Sequence, residues 1–427
     1  MLDYGGYALA NLGDTAMLQV AIKRLQEHLP DAEILVFTNF EEKLQNYCPG
    51  TIAISPTTRE KWLSAKLAPI PLRIMPKPLR NPIRKFERTF KLRAPVIANL
   101  IMRITSRLVY GKESEGQAFF ERIRAVDIVL ASGGGYITDS FPSHAKNVLS
   151  TLLIAQRMGI PTAMFGQGIG PLKNQEVIAL AKKTFPNLKV LGVREGLESA
   201  EIAKEFGVPD ERIWVTGDDA IEIAINSIDH TIERNCIGVN IRLASYAGNL
   251  DLELTRIGKA IEQIASCEKT PIIPIPIHIG DSFRDLRAVT NMCPINELEI
   301  ENARNIITPE ALAQQIARCR IVITGSYHAA VFALAQSIPV VAIVGSDYYK
   351  VKFQGLANQF EIGCKIVSID SVNFIESLRN SIVKTLAFPE EGKANLIEKA
   401  KEQVELSRTA WKRFLCHEYD HEPQRID

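Results

Sequence analysis

One stretch of the chain decides its fold class: RIVITGSYHAAVFALAQSIPVVAIV, residues 320–344. Two short runs rich in Ile and Val flank a segment of small apolar residues, which is the pattern of a strand, a helix and a second strand. Strands that are apolar throughout and joined by helices are typical of parallel sheets covered on both faces. The turn after the first strand carries Ser326, Tyr327 and His328, so this strand end is also a candidate binding site.

The same alternation recurs along the chain and predicts an α/β protein. Apolar runs predict strands at residues 33–38, 127–132, 162–167, 189–193, 212–217, 236–241, 271–276, 320–324, 340–344 and 364–369. Segments of helical period between them predict helices, among them 14–28, 143–158, 197–206, 252–266, 309–317 and 371–386. We expect two doubly wound, Rossmann-like domains that face each other across a cleft, which is the GT-B-like arrangement.

The chain length supports two domains, because single cores rarely exceed about 250–300 residues and this chain has 427. We expect an N-terminal domain at 1–225 that holds the acceptor and a C-terminal domain at 226–394 that holds the donor. A C-terminal helix and tail follow at 395–427. The chain begins only a few residues before its first glycine loop, so the first strand is predicted to be short or missing and the start truncated.

Composition indicates an ordinary cytoplasmic protein without a polyanionic partner. Hydrophobic residues make up 46%, charged residues 23%, and the formal net charge is +1, so nucleic acid is not expected. The seven cysteines form no CxxC pair, which argues against a zinc ribbon or a disulfide framework. The start has no basic and apolar signal region, and no run of about 18 apolar residues could span a membrane.

The segment 61–112 is strongly basic, with Glu87 as its one acidic residue. Apolar residues recur there at helical spacing beside Arg103 and Arg107: Val96, Ile97, Leu100, Ile101, Ile104 and Leu108. One interpretation is a basic amphipathic surface that rests on anionic lipid at the inner face of the membrane. The other is a solvated insertion whose apolar stripe packs on its own domain.

Two glycine loops of the N-terminal half follow predicted strand positions. GGYALANLGD (5–14) contains Asn11 and leads into a helix for which Asp14 is the predicted N-cap; a tight turn with a cap is the alternative. SGGGYITDSF (132–141) contains three successive glycines, Gly133, Gly134 and Gly135, which permit close approach of the backbone to a substrate. Asp139 is expected to point into the same crevice.

Two further loops add polar groups at strand ends. In FGQGIGPL (165–172), Gln167 is expected to reach the cleft, and the next helix is predicted to begin at Pro171. In GVREGLES (192–199), Arg194 could hold a carboxylate or phosphate of the substrate. The alternative for Arg194 is an ion pair with Glu195 or Glu198.

The C-terminal half contributes further candidates at strand ends. These are Arg242 in VNIRLASY, His278 and Asp281 in PIPIHIGDSFRD, and Lys350 and Lys352 in GSDYYKVKFQGL. His328 is the strongest candidate, because the N-terminus of its helix favours negative charge and a bound anion would favour the protonated imidazole. The alternative is a histidine that only caps the turn.

These loops, in this order, resemble those of the polysaccharide pyruvyl transferase family. The matching stretches are GGYALANLGDTAML, ASGGGYITD, FGQGIGPL, VREGLESAEIAKEFGV, VTGDDA, IGVNIR and SYHAAVFALAQSIPVVAI. The resemblance implies a GT-B-like fold and transfer of the enolpyruvyl unit of phosphoenolpyruvate onto a sugar of an exopolysaccharide or its lipid-linked precursor. Such transfer commonly closes a pyruvate ketal, releases phosphate, and requires no metal or other cofactor.

The resemblance also implies roles for individual residues. His328 would be the acid, and Arg194, Arg242 and Lys352 would hold the donor anion. Asp139 would bind the sugar hydroxyls, with Asp14 as a second choice. Ser326 stands where the family motif Ser-Arg-Leu-His has its arginine, so another cation substitutes, the donor differs, or activity is lost.

Two other functions remain open at the level of sequence. A GT-B glycosyltransferase that uses a nucleotide sugar usually carries an acid near the helix after the donor-site strand, and AAVFALAQS contains none. A non-catalytic relative that binds a glycan or an anionic metabolite would tolerate Ser326. Oligomeric state does not follow from these patterns.

Overall fold

The computed structural model describes residues 1–67, 77–110, 116–241, 250–280 and 283–419. Its first sheet is parallel and contains eight strands in the order β3-β2-β1-β4-β6-β7-β8, with β5 paired to β6. These strands are β1 (Leu2–Asp3), β2 (Leu35–Phe37), β3 (Ile52–Ile54), β4 (Val129–Ala131), β5 (Gly134–Ile137), β6 (Thr162–Ile169), β7 (Val190–Val193) and β8 (Ile213–Val215).

The second sheet is parallel and has five strands in the order β10-β9-β11-β12-β13. They are β9 (Cys236–Asn240), β10 (Ile272–Pro274), β11 (Cys319–Thr324), β12 (Val340–Val344) and β13 (Cys364–Ser368). Every predicted run overlaps an observed strand, and the predicted α/β class with parallel sheets is confirmed. The short first strand is present as β1. Pattern reasoning missed β3 and β5, and β5 lies where a glycine loop was predicted.

Helices connect the strands and cover the sheets. Their bounds are α1 Leu12–His28, α2 Glu41–Tyr47, α3 Pro56–Ser64, α4 Lys77–Arg93, α5 Pro95–Tyr110, α6 Gln117–Arg124, α7 Pro142–Arg157, α8 Gln175–Thr184, α9 Ser199–Glu205, α10 Ala220–Asn226, α11 Leu250–Cys267, α12 Arg284–Met292, α13 Glu297–Arg304, α14 Pro309–Ala317, α15 Tyr327–Ala335, α16 Asp347–Phe360, α17 Phe374–Leu386 and α18 Glu390–Tyr419. Among the described helices, none combines the length and apolar composition needed to cross a bilayer.

The starts of α1 and α8 are among those that differ from the predicted positions. Asn11, not Asp14, caps α1, and its side chain accepts hydrogen bonds from the backbone N–H groups of Gly13 and Asp14. Likewise α8 begins at Gln175 rather than at Pro171. Its cap is Asn174, whose side chain accepts from two N–H groups of the first turn. In both cases an asparagine satisfies the free N–H groups that a helix start leaves exposed.

The first half of the chain is built around β1–β8 and the second half around β9–β13. The strand–helix–strand unit at 319–344 forms the centre of the second half. All nine residues of α15 are buried, and β11 and β12 are adjacent in their sheet. Five of those nine residues are alanine or valine, so the helix can pack closely against neighbours on several sides. This explains why its hydrophobic pattern has no polar face.

The two halves are joined directly beside the first helix. The backbone N–H of Leu12 donates to Ile277 O at 2.9 Å, and that of Ile279 donates to Ala10 O at 2.8 Å. The last helix, α18, also contacts β6, β7 and β8 of the first sheet and the helices α15 and α16 of the second half, and its Trp411 stacks on Phe165 with ring centroids 3.9 Å apart. These contacts bring the strand ends of the two sheets towards one another.

Candidate active site

A cavity of about 180 Å³ lies where the carboxyl ends of the two sheets meet. Its wall contains residues of the first half, namely Gly5, Asn11, Asp14, Gly135, Tyr136, Phe141 and His144, and of the second half, namely Ser326, Tyr327, His328, Tyr348, Tyr349 and Lys352. Ligands of doubly wound folds bind at this edge of the strands. The arrangement therefore makes this cavity the candidate active site.

A larger cavity of about 590 Å³ lies at the opposite edge of the first sheet. It is lined by Met1, Ile34, Leu35 and Ile128, which stand at the amino ends of β1, β2 and β4. The amino edge of a parallel sheet is not where such folds bind substrates. Its size alone therefore does not make it the catalytic site.

His328 projects from the first turn of α15 and is only 7% exposed. Its imidazole lies against Gly13 of α1, where a Cβ atom would stand 2.0 Å from His328 Cγ. On another side, Nε2 is 3.7 Å from Oδ2 of Asp218. The histidine is thus positioned by two residues that come from the other half of the chain.

Asp218 follows β8 and is fully enclosed beneath the histidine. Its Oδ2 is 2.9 Å from Nε of Arg194, and its Oδ1 accepts from the backbone N–H of Ala220 at 2.9 Å. Burial raises the pKa of the Asp218 carboxyl, and the Arg194 guanidinium acts against that rise. Sequence reasoning missed Asp218 as a site residue, although its place just after a predicted strand was the available signal.

Arg194 lies behind the cavity wall rather than on it. Besides the contact to Asp218, its Nε donates to Gly166 O at 2.9 Å, and its guanidinium carbon is 5.0 Å from the Tyr327 ring centroid. Its Nη1 is buried without a hydrogen-bond partner. An ion pair was one predicted alternative, but the partner is Asp218. The carboxylate of Glu195 instead accepts from three successive backbone N–H groups, at positions 197–199, where α9 begins.

Lys352 brings a cation to the cavity wall. Its Nζ donates to the Tyr348 hydroxyl at 2.9 Å and lies 5.0 Å from the Tyr327 ring centroid. The Tyr348 hydroxyl in turn donates to Gly135 O at 2.9 Å, across the two halves. Among the described residues that line the cavity, Lys352 is the one lysine or arginine, whereas Lys350 on the same helix is exposed to solvent.

Ser326 is the N-cap residue of α15 and lines the cavity. Its side chain makes no capping hydrogen bond, while its backbone N–H donates to Thr324 Oγ1 at 2.8 Å. The N–H groups of the first turn of α15 are therefore not satisfied by their own cap residue. A helix start of this kind favours a bound anion.

The three glycines are close to protein side chains rather than to open substrate space, which corrects part of the prediction. A Cβ atom would meet Met17 Sδ at Gly133 and the Tyr136 ring at Gly134, each within 2.5 Å. Only Gly135 lines the cavity, where a Cβ would stand 2.3 Å from Lys352 Nζ. Glycine is needed here so that protein groups can approach the backbone.

Gln167 does not reach the cleft, contrary to prediction. Its side chain is completely buried, and its Nε2 donates to Ser132 O at 2.7 Å and to the Tyr136 hydroxyl at 3.1 Å. The residue lies on β6, which continues to Ile169, so its side chain is enclosed by the neighbouring loop of the same sheet. Through these hydrogen bonds, Gln167 holds in place the segment 132–136, which contains the three glycines.

Asp139 also differs from its predicted position. Its two carboxylate oxygens accept from the backbone N–H groups of Lys173 and Asn174 at 2.6 and 2.8 Å. It is not among the residues that line the cavity, which instead include Asp14 in the first turn of α1. The carboxylate on the cavity wall is therefore that of Asp14.

The remaining predicted residues lie at the edge of the site or outside the described chain. His278 forms an isolated backbone bridge with Asn11, and its Nδ1 accepts from the N–H of Gly280 at 3.3 Å. It does not line the cavity. Arg242 and Asp281 lie outside the described residues.

His144 is a cavity residue that sequence reasoning missed. It is in the first turn of α7, its Nε2 lies 3.0 Å from Tyr4 O, and its ring is 4.8 Å from that of Tyr136. Burial lowers the pKa of His144, so the neutral imidazole is favoured. No strand end precedes it directly, which is why position along the chain did not mark it. Within the described ranges, no cluster of three His, Cys, Asp or Glu residues is placed to hold a metal ion.

A comparison with known protein families matches most of the chain to one family. The family model for polysaccharide pyruvyl transferase matches residues 11–347. This range includes Asn11, Asp14, Asp218 and His328, and it ends before Lys352. No curated relative matches the chain by sequence.

Solved structures share the architecture at low identity. Staphylococcus aureus MnaA with UDP aligns with a TM-score of 0.57 at 11% identity, covering 100% of this chain and 99% of that one. The Neisseria meningitidis UDP-GlcNAc 2-epimerase bound to UDP-GlcNAc gives 0.53 at 12%, with 96% and 97% covered. Arabidopsis thaliana UGT89C1 with quercetin gives 0.50 at 11%, with 98% of each chain covered. These likenesses confirm the GT-B-like fold of two Rossmann-like domains.

Proposed function

Because the chain belongs to the polysaccharide pyruvyl transferase family, we propose that it moves the enolpyruvyl group of phosphoenolpyruvate to a sugar hydroxyl of a polysaccharide or its lipid-linked precursor. The observation that carries the proposal is the meeting of His328, Lys352 and Asp14 in one small cavity. An acid, a cation and a carboxylate are the groups that this reaction needs.

The donor binds on the side of the second half. Phosphoenolpyruvate carries a carboxylate and a phosphate, and the Lys352 ammonium and the first turn of α15 attract negative charge to the same wall. Lys352 thereby supplies the positive charge that the family's arginine provides at the position of Ser326. The small serine side chain leaves room for the anion. Arg194 supports this wall electrostatically from behind Tyr327, because its guanidinium is already engaged by Asp218.

His328 acts as the acid that protonates the methylene carbon of the donor. A bound dianion beside the imidazole favours its protonated form, and Asp218 positions the ring through the contact to Nε2. Gly13 keeps the other side of the ring in place. Asp218 is accordingly a positioning residue that does not contact the donor.

The acceptor binds on the side of the first half, beside Asp14. The new C–H bond on the methylene carbon comes from His328 and leaves an oxocarbenium-like carbon, which the sugar oxygen attacks while its proton goes to Asp14. The second hydroxyl attacks the same carbon, the C–O bond to phosphate breaks, and the departing phosphate takes the second proton. The products are a pyruvate ketal and inorganic phosphate.

A binding measurement tests the donor assignment first. Purified protein is mixed with phosphoenolpyruvate, UDP-GlcNAc or buffer, and the thermal midpoint is recorded for the native chain, His328→Ala and Lys350→Met. We expect stabilisation by phosphoenolpyruvate that His328→Ala removes and Lys350→Met retains, because Lys350 is exposed away from the cavity. Phosphate release with a panel of glycans, and the mass of the pyruvylated product, then identify the acceptor.

Two outcomes would contradict the proposal. Stabilisation by UDP-GlcNAc alone would indicate a nucleotide-sugar enzyme. An absence of any response to either ligand, with the native chain folded, would indicate a non-catalytic relative. α15 contains no acidic residue to hold a ribose, so the nucleotide-sugar outcome is not expected.

A further inference from the structure

Helix α5 has apolar residues on two opposite faces. Ala98 and Met102 are buried against the first half, at 0% and 1% exposed. The opposite face is 50% to 80% exposed and consists of Val96, Ile97, Leu100, Ile104 and Leu108, which we call the outer face of α5. Positions 96, 100, 104 and 108 are four residues apart and form one continuous stripe. The exposed stripe is therefore a surface feature and not part of the protein's own core.

The outer face is held in its exposed orientation by contacts on the inner side. The Trp62 indole N–H donates to Asn99 Oδ1 at 3.0 Å, and both residues are buried. Lys91, at the end of α4, is buried and its Nζ donates to Trp62 O at 3.2 Å and Leu63 O at 3.0 Å. Rotation of α5 to bury the stripe would break the hydrogen bond between Trp62 and Asn99.

The surroundings of this stripe are basic. Between residues 77 and 110 the chain has nine Lys or Arg residues and a single acid, Glu87. The Glu87 carboxylate accepts from the backbone N–H of Leu67 at 3.0 Å, so it is engaged within the fold. Among the side chains of these helices that the structure describes, the exposed cations are Arg84, Lys85, Arg93 and Arg107.

Helix α4 extends the same surface. It packs against α5, and its Phe86 is 67% exposed and stacks on Phe90 with ring centroids 6.2 Å apart. Exposed Arg84 and Lys85 immediately precede Phe86 in the chain. Single exposed apolar residues are common on proteins, but a contiguous set of large ones beside clustered cations marks an interaction site.

We propose that α4 and α5 dock the protein on a bilayer surface that contains anionic lipid. The side chains of the outer face of α5 and the Phe86 ring of α4 enter the boundary between headgroups and acyl chains. The exposed Lys and Arg residues contact the anionic headgroups. This combination of apolar burial and positive charge is what interfacial helices require. The docking does not depend on which group the protein transfers.

A second copy of the chain is a poorer occupant of this surface. A two-fold dimer brings the same patch of both copies together, so the basic residues would face each other. A bilayer that contains anionic lipid can bury the apolar stripe and attract the basic residues at the same time.

The position of this surface also suits a lipid-linked acceptor. Helix α4 packs against α7, and α7 begins at the cavity with Phe141 as its N-cap and His144 in its first turn. Docking through α4 would therefore place the bilayer beside the half of the protein that carries the acceptor-side residues.

Co-sedimentation with vesicles tests the proposal on the full chain. Native protein is mixed with vesicles of phosphatidylcholine alone or of phosphatidylcholine with phosphatidylglycerol, at low and at high salt. We expect it to pellet with the anionic vesicles at low salt and to be released at high salt. The variant Leu100→Ser/Ile104→Ser should bind at least about tenfold more weakly, because each apolar side chain removed from water supports binding.

A matched control removes exposed aliphatic residues elsewhere. Leu298 and Val372 are 66% and 101% exposed and belong to the second half, so Leu298→Ser/Val372→Ser should pellet like the native chain. Equal thermal midpoints for all three proteins establish that each is folded. Three results would overturn the proposal: no pelleting of native protein with anionic vesicles at low salt, equal loss in both variants, or a dimer that Leu100→Ser/Ile104→Ser converts to a monomer without affecting pelleting.

Discussion

The starts of α1 and α15 both face the candidate active site, and they are built differently. The start of α1 is closed by its own cap, because Asn11 accepts hydrogen bonds from Gly13 and Asp14. The start of α15 has Ser326 at the same position, and the serine side chain makes no capping bond. One start presents a carboxylate to the cavity and the other presents His328.

The difference between these starts fits the division of labour that we propose. A capped helix start is electrostatically satisfied and can carry the Asp14 carboxylate beside neutral hydroxyl groups. An uncapped start retains N–H groups for an anion and stands beside Lys352. The two starts also touch, since the imidazole of His328 occupies the space that a side chain at Gly13 would need.

The largest effect is expected when the α15 start loses its acid. His328→Ala should lower the rate of phosphate release by about 10²–10⁴-fold, because general acid catalysis contributes on that order. Steady-state kinetics with phosphoenolpyruvate and a responsive glycan measure the effect. An unchanged thermal midpoint excludes unfolding, and retention of full activity would show that His328 is only structural.

The next effect concerns the cation beside the α15 start. Lys352→Met should weaken binding of phosphoenolpyruvate by roughly 10- to 150-fold, since a hydrogen bond to a charged group is worth about 1.5–3 kcal/mol. Isothermal titration calorimetry measures the dissociation constant. Lys350→Met is the control on the same helix and should bind like the native chain. Equal affinity of the two variants would exclude Lys352 as the donor's cation.

The contact between the two starts can be broken directly. Gly13→Ala places a Cβ 2.0 Å from His328 Cγ and should destabilise the fold by about 1–3 kcal/mol while displacing the imidazole. The free energy of unfolding, measured in urea, and the rate of phosphate release should both fall. Gly196→Ala is the matched control, because its nearest neighbour would be Val215 Cγ2 at 3.9 Å. A harmless Gly13→Ala would mean that the two starts are not tightly packed.

The smallest effect separates the two caps. Asn11→Ala should lower the free energy of unfolding by about 1 kcal/mol, because it removes a capping side chain. Ser326→Ala should leave that free energy nearly unchanged, since Ser326 makes no capping bond. Urea unfolding of the two variants side by side provides the measurement. A larger loss from Ser326→Ala would reverse the comparison.

Sequence patterns located most strands and the edge of the sheets at which the cavity lies, because apolar periodicity records burial directly. Side-chain direction is not recorded in that way. Gln167 was expected to reach the cleft, but it sits within a longer strand and bonds to the loops beside it. Asp139 was expected to point into the crevice, yet its carboxylate accepts hydrogen bonds from the backbone N–H groups of Lys173 and Asn174.

The sequence by itself determined the α/β class, the succession of strands and helices, and the place of His328 in the turn after β11. These features depend on hydrophobic spacing and turn residues within short segments. Only the tertiary structure decided that Gly13 and Asp218 hold His328, and that Lys352 supplies the cation of the cavity wall. Those partners are more than a hundred residues away from His328 or on a different helix, and only packing of the two halves brings them together.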